Sequence, residues 1–443
     1  MIEKAPLIDP QHILSNIKNL DVEIFKKIPD YNKIEEEYRY WDKVKYYNPK
    51  GLKKSDQINH AAEVWGLIKA KRYYGKRNYR LGTEEYPLRY NFNINNFLSQ
   101  KLHYLDFNFG AGIQKEQLLS ELDKQKYLTN AIMEESIFSS MIEGATTTRV
   151  KAKDMLRKDK KPKNKSEQMI LNNYRTIQYI SHYKNEDISL EKLFEIHRLV
   201  TENTLEKENI GIFRNNNEIH VMNEITGEIV HTPPKHEHLN ELMKSFCVFF
   251  NNDNTKNFIH PIVKASILHF LIGYIHPFVD GNGRTARAIF YWYLLKNGYW
   301  LTEYMSISRV IMKTKTQYEK AYLYTEIDDM DVTYFIHYQV KVLIQAFEDL
   351  KTYVAKKKKE ENKHSKYLKI KNINERQAQI LFWIEENENR FFTVKEIENI
   401  YGITNQTART DLEELVEKEY LKKIAVNKKS SNYWKGKKFD SLK

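Results

Sequence analysis

The sequence is poor in the residues that interrupt regular structure. Glycine accounts for 15 of its 443 residues and proline for 10; glycine usually makes up roughly 7% of a chain. Doubly wound sheets and β-sandwiches use both residues heavily in turns, so their scarcity favours helices with few breaks. A single cysteine, Cys247, excludes an intramolecular disulfide and a cysteine-rich zinc site. It sits in the apolar run Phe246–Phe250, where a buried, inert thiol is expected. No apolar run approaches the roughly 18 residues of a membrane span. The opening residues, Met1 to Pro6, lack the apolar stretch of a secretory signal. The expectation is a cytoplasmic protein with no membrane partner.

What is present bounds the chain from the other side. With 41% hydrophobic and 13% aromatic residues, it is not wholly disordered, and its length suits roughly two to four domains. Lys and Arg number 71 against 59 Asp and Glu, a net charge of +12. Residues 151–166 hold eight basic and two acidic residues, and 351–370 hold eight lysines and two glutamates. The excess therefore gathers in two segments that read as connectors. The second is expected to be a linker or an exposed helix tail. The expected divisions are a helical extension at 1–110, a core at 111–350, a basic linker at 351–370 and a final unit at 371–443.

Apolar spacing predicts a helix over 114–146, with Leu118, Leu119, Ile132 and Ile137 on its apolar face and Gly144 at its end. Further helices are predicted at 166–182, 188–204, 237–251, 262–275, 284–297 and 316–350. Between them, Ile219, Val221, Ile225, Ile229 and Val230 alternate with polar residues around Thr226-Gly227, predicting a β-hairpin. The basic, tyrosine-rich stretch Lys69–Arg77 suits either base stacking or, more simply, tyrosines packing inward. After residue 370, Gln377–Ile384, a helix capped by Thr393 with Glu396 three residues on, Gly402, and a helix at Asn405–Glu417 precede a wing at Leu421–Trp434.

The chemistry concentrates in His276-Pro277-Phe278-Val279-Asp280-Gly281-Asn282-Gly283-Arg284-Thr285-Ala286-Arg287. Pro277 stops the preceding helix. Gly281 and Gly283 allow a loop whose N–H groups converge on an anion, and the next helix aims its positive end there. Arg284 and Arg287 share one helical face and suit phosphate oxygens. Asp280 offers a hard oxygen to Mg²⁺, and His276 titrates near neutrality and can accept a hydroxyl proton. Together these predict nucleotidyl or phosphoryl transfer. Three rival motifs fail. Gly281-x-Gly283-x-x-Ala286 with Glu303 lacks the preceding strand of a dinucleotide fold. In His236–Asn240 an asparagine replaces the second zinc histidine, and in Asp280–Arg284 an arginine replaces a calcium ligand.

This string resembles the signature of the Fic family of AMP transferases, His-Pro-Phe-x-Asp-Gly-Asn-Gly-Arg-x-x-Arg, without a departure. Weaker resemblance extends over about 115–340, including His260-Pro261. It implies a mainly α fold: a Fic-type helical core with a β-hairpin flap, followed by a winged helix-turn-helix. It implies that His276 is the general base for a Ser, Thr or Tyr hydroxyl attacking the α-phosphate of ATP. Asp280 would hold Mg²⁺, Gly281, Asn282 and Gly283 would cradle phosphates, and Arg284 and Arg287 would grip the β and γ phosphates. The flap near 218–232 would dock a target protein by strand addition. Val230 and His231 would border the nucleotide, and Tyr318 would stand near it. Ser139-Ser140-Met141-Ile142-Glu143-Gly144 resembles the family's inhibitory motif, with Ser139 first and Glu143 pairing with Arg287 against the γ-phosphate.

The resemblance implies protein AMPylation restrained by Glu143. The alternatives are removal of AMP at the same site, and a DNA-binding regulator whose Fic core senses nucleotide. Family members often dimerise, so a homodimer stays open. In the winged unit, Gln406 and Arg409 suit base edges and phosphate, and Lys428 and Lys429 suit the backbone. Residues 371–443 carry only 14 basic against 12 acidic residues, so DNA and protein docking both remain open.

Overall fold

A computed structural model describes residues 2–7, 34–46, 53–109, 121–222, 226–252, 257–427 and 430–442. Leu118, Leu119, Ile225, Lys428 and Lys429 lie outside these. In chain order the elements are α1 (Trp41–Val44), α2 (Lys54–Gly75), β1 (Arg77–Gly82), β2 (Pro87–Phe92), α3 (Asn96–Phe109), α4 (Glu121–Ile142), α5 (Arg149–Arg157), α6 (Lys165–Tyr183) and α7 (Leu190–Thr201). There follow β3 (Val221–Met222), β4 (Ile229–His231), α8 (Leu239–Asn251), α9 (Pro261–Ile275), α10 (Asn282–Lys296), α11 (Ile307–Lys313), α12 (Lys315–Ile327) and α13 (Thr333–Leu368). The chain ends in α14 (Glu375–Glu386), α15 (Val394–Tyr401), α16 (Asn405–Glu417), β5 (Leu421–Asn427) and β6 (Ser430–Lys435). The described sheets are three two-stranded hairpins, so the fold is mainly helical, as expected. Two compact units emerge: Met1–Gly112, Tyr179–Trp300 and Val310–Ile344 form one; Ile113–Gln178, Leu301–Arg309 and Gln345–Lys443 form the other.

The first unit is built on α9 and α10. Both are buried on all sides: α10 is buried continuously from Arg284 to Leu295, and α9 exposes almost nothing between Ile262 and Ile272. A helix apolar all round belongs at the centre of a core. The start of α9 is fixed by His260, whose Nδ1 accepts from the Ile262 N–H at 3.3 Å, and by Pro261 at the first helical position. Helix α7, capped by the Ser189 hydroxyl, turns Leu193, Ile196, His197 and Val200 inward. Because α9 precedes the glycine loop, the dinucleotide fingerprint fails on the observed structure too. Cys247 is buried, and burial pushes its thiol up to about 12, which keeps it inert.

Two expectations near the N-terminus need correction. The hairpin β1–β2, paired from Arg77↔Phe92 to Gly82↔Pro87, stands where only helices were read. In Lys69–Arg77 the tyrosines do not pack inward: Tyr73 and Tyr74 are exposed and Arg72 is buried. Arg72 Nη1 donates to the Tyr334 hydroxyl at 2.6 Å and its Nε to Glu35 at 3.1 Å. The buried Glu35 carboxylate and the Tyr38 ring, 3.7 Å from the guanidinium, turn Arg72 in rather than the neighbouring tyrosines.

In the second unit, α4 stops before Gly144, whose φ is 87°, the left-handed turn expected there. The second basic segment is almost wholly helical, and the first is helical only at its two ends. Residues 149–157 form α5, and 351–368 are the second half of α13, the helix-tail alternative rather than a loose linker. The winged pattern forms as read, and a bridge between Phe392 and Tyr433 adds a third short strand segment. The Thr393 hydroxyl accepts from the Glu396 N–H at 3.1 Å. The Glu396 carboxylate pairs with Arg157 and Arg390.

Candidate active site

The signature string is the loop that joins α9 to α10, so it rests on the most buried pair of helices in its unit. His276 closes α9 in a left-handed conformation, with φ 49°. Its N–H still bonds Ile272 O at 3.0 Å, and Pro277 prevents another turn. The ring Nδ1 lies 3.1 Å from Gly273 O. A carbonyl only accepts, so Nδ1 carries the proton and Nε2 is the basic nitrogen.

The loop is locked from inside. Asn282 Oδ1 accepts from Phe278 N–H at 3.0 Å, and its Nδ2 donates to Phe278 O at 2.8 Å. Gly281 has φ 84°, and a Cβ there would stand 2.9 Å from Thr201 Cγ2, so both backbone angle and space demand glycine. Helix α10 begins at Asn282, and the first-turn amides of a helix have no partner within it. They form the N-terminal end of a dipole at the glycine loop. Asp280 is half-exposed; its Oδ1 accepts from Gly281 N–H at 2.5 Å and lies 3.5 Å from Arg284 Nη2. Arg284 and Arg287 are both buried. One arm of Arg284 is committed to Val200 O at 2.9 Å.

Two residues that sequence reasoning passed over hold this loop in place. His197 on α7 accepts from Gly211 N–H at Nδ1, 2.9 Å, and its Nε2 donates to Asp280 O, 2.9 Å. Its ring stacks on Phe278 with centroids 3.8 Å apart. Burial pulls its pKa down to about 4, against a smaller raising effect from the Asp280 carbonyl, so the ring is neutral at pH 7. Arg214 is buried. Its Nε donates to His276 O and its backbone N–H to Pro277 O, both at 2.9 Å. Its other nitrogens reach Asn216 O at 2.8 Å and Pro234 O. One guanidinium thus ties both feet of the hairpin to the backbone of the proposed base. Neither residue lies in a motif; the available signal was a histidine on the apolar face of α7 and a lone arginine before the hairpin.

The hairpin forms as expected, with Val221 opposite His231 and Met222 opposite Ile229. Met222 and Ile229 are exposed. The His231 ring is held at both nitrogens: Nε2 donates to Tyr274 O at 2.7 Å and Nδ1 faces Glu326 at 2.8 Å. Val230 beside it is half-buried. The Tyr318 hydroxyl accepts from His269 Nε2 at 2.9 Å, and Gln339 donates to His269 Nδ1 at 2.9 Å. Burial holds the His269 pKa well below the ordinary value, with Arg287 adding to the effect. The structure therefore gathers His276, Asp280, Gly281, Asn282, Gly283 and Arg284 at one loop. His231 and Tyr318 are engaged in side-chain hydrogen bonds of their own. Ser139 and Glu143 lie in the other unit, where Ser139 is buried and the Glu143 N–H bonds Ser140 O at 3.1 Å.

The Fic/DOC family model matches residues 187–294, which span the loop, both helices beneath it, the hairpin, His197 and Arg214. This segment is a Fic domain. The protein adenylyltransferase Fic of Drosophila virilis is 34% identical over 113 residues, covering 26% of this chain and 21% of the relative. The protein of the same name from Nematostella vectensis is 34% identical over 116 residues, covering 26% and 25%. The chain spans about a fifth to a quarter of the length of these relatives. A solved Fic family protein from Desulfovibrio desulfuricans G20 aligns with a TM-score of 0.49 at 18% identity, over 76% of this chain and 95% of that one. A DeoR-like helix-turn-helix domain matches residues 376–425. Outside the Fic domain as matched, Glu326 and Tyr318 of α12 still supply partners to its residues.

Among the described residues, no three His, Cys, Asp or Glu side chains come together as a metal cage. A Mg²⁺ ion held by one carboxylate and substrate phosphates needs no such cage, and the half-exposed Asp280 fits that donor set.

Proposed function

We propose that the chain transfers AMP from ATP to a Ser, Thr or Tyr hydroxyl of a target protein or of itself. The carrying observation is the His276 tautomer fixed by Gly273 O at the mouth of the α10 N-terminus. Nε2 takes the hydroxyl proton as the oxygen bonds to the α-phosphorus. The bond to the bridging oxygen breaks, and pyrophosphate leaves with both electrons. The first-turn amides of α10 with Arg284 and Arg287 receive its negative charge. Asp280 would hold Mg²⁺, which supplies charge neutralisation on the phosphates. His197 and Arg214 keep the loop from shifting as charge moves. The Fic/DOC family model spans this stretch, and two relatives that match part of the chain are named protein adenylyltransferase Fic.

Three further parts belong to the same proposal. An extended target segment adds to the β3–β4 hairpin, whose exposed Met222 and Ile229 would take alternate side chains. Glu143 restrains the reaction, on the strength of the Ser139–Gly144 match. The helix-turn-helix contacts duplex DNA through Gln406 and Arg409, both exposed on α16. The direct test of the base is His276→Ala. Transfer of label from α-labelled ATP should vanish while ATP still binds; substantial residual transfer would refute the role.

A further inference from the structure

The structure assigns a second anion site, in the second unit and outside the Fic domain: a small cavity that fits a phosphomonoester. The cavity holds about 180 Å³, and its walls include Asn130 of α4, Lys153 and Arg157 of α5, Tyr353 of α13, and Trp383 and Arg390 of the winged region. Two carboxylates stand behind these cations. Glu134 is held by Arg149 and by Lys153 at 2.5 Å. Glu396 is held by Arg157 and by Arg390 at 3.3 Å. Four cations against two carboxylates leave two positive charges in excess around a half-enclosed space. Burial, the largest influence on each, pushes down the pKa of Lys153 and Arg390. A dianion would balance the cluster, and guanidinium forks match tetrahedral phosphate oxygens.

Aromatic side chains share the lining with the cations. The Arg390 guanidinium lies 4.7 Å over the Trp383 ring, and Asn130 reaches the Tyr353 hydroxyl at 3.3 Å. Cations for a phosphate and aromatic side chains beside them for a small ring match a compact phosphomonoester. A pocket for a drug-sized ligand is usually roughly 300–1,000 Å³, so 180 Å³ is too small for ATP. The walls join the helix that ends at Ser139–Gly144 to the winged region, and Asn399 Nδ2 donating to Arg157 O at 3.0 Å already fastens that seam. The site stands independently of AMP transfer.

The test titrates the full chain with inorganic phosphate and with phenyl phosphate, by calorimetry and by tryptophan fluorescence. Both should bind saturably, phenyl phosphate more tightly. Lys153→Gln, which leaves Glu134 held by Arg149, should weaken both by about tenfold, the worth of one charged hydrogen bond. Arg390→Gln should do the same. Trp383→Phe should abolish the fluorescence change while calorimetry still registers phosphate binding. Phosphate bound at the glycine loop would not respond to Lys153 or Arg390. Equal affinities in wild type and both charge variants, or no saturable binding, would overturn the site.

Discussion

In the proposed mechanism His276 depends on other residues, which decide where it stands and which nitrogen is basic. The residue scale therefore gives the sharpest expectations. Arg214 grips the His276 carbonyl and both feet of the hairpin, so its loss should misplace the base more than it disturbs nucleotide binding. Arg214→Ala should lower the transfer rate by roughly 100-fold, the scale of an ångström-level misplacement. Its KM for ATP should change little, and Arg214→Lys should recover part of the rate. Steady-state kinetics read the split. His197 gives a pH expectation. Its pKa falls from 6.5 unfolded to about 4 folded, so between those values the unfolded chain binds more protons. Its contribution is full above pH 6.5 and is lost as pH falls to 4, worth roughly 3 kcal/mol in all. Melting temperatures from pH 7 down to 4 should fall less steeply for His197→Gln than for wild type. The twelve-residue signature was legible because its residue types and spacing are themselves the chemistry. His197 and Arg214 were not, because they act through backbone carbonyls, which impose no pattern on the sequence.

Among the elements, the α9–loop–α10 hairpin carries the site, and its glycine can be tested against another. Gly281 and Gly227 both have positive φ, but a Cβ at Gly281 meets Thr201 at 2.9 Å while nothing lies within 4 Å at Gly227. Gly227→Ala should cost only the backbone term, about 1 kcal/mol. Gly281→Ala should cost that plus an overpacking term of roughly 1–3 kcal/mol. Denaturant midpoints measure both, and equal losses would show that packing at Thr201 is slack. The same scale shows what sequence patterns carry. Helices α4, α7, α9 and α10 and the β3–β4 hairpin were readable from apolar spacing and turn residues. The β1–β2 hairpin was not. Its first strand, with Tyr79 as the one tyrosine, starts two residues after Gly75 ends α2, and the breaks are single residues, Gly75, Gly82 and Pro87, rather than a turn dipeptide. The capping pattern at Thr393 was half right, because Glu396 pairs with two buried-side arginines instead of returning to the cap.

At the scale of the whole molecule, the +12 charge resolves into places. Much of it lies on the second half of α13 and on the non-helical stretch that follows α5, two segments whose composition reads as connectors. Basic composition alone does not separate a solvated helix from a tether. The helix-turn-helix region is nearly neutral, so duplex binding through Gln406 and Arg409 should be weak, with a shallow salt dependence set by few phosphate contacts. Retardation of short duplexes at low salt, lost on Arg409→Ala, checks this; no retardation would assign the region to protein contacts. The central claim is a nucleotidyl-transfer site built on His276 and restrained by Glu143. It is tested most directly by transfer of label from α-labelled ATP to protein, with wild type, His276→Ala and Glu143→Gly side by side. The account predicts weak transfer by wild type, more by Glu143→Gly and none by His276→Ala. Equal labelling by all three, or transfer that survives loss of His276, would contradict it.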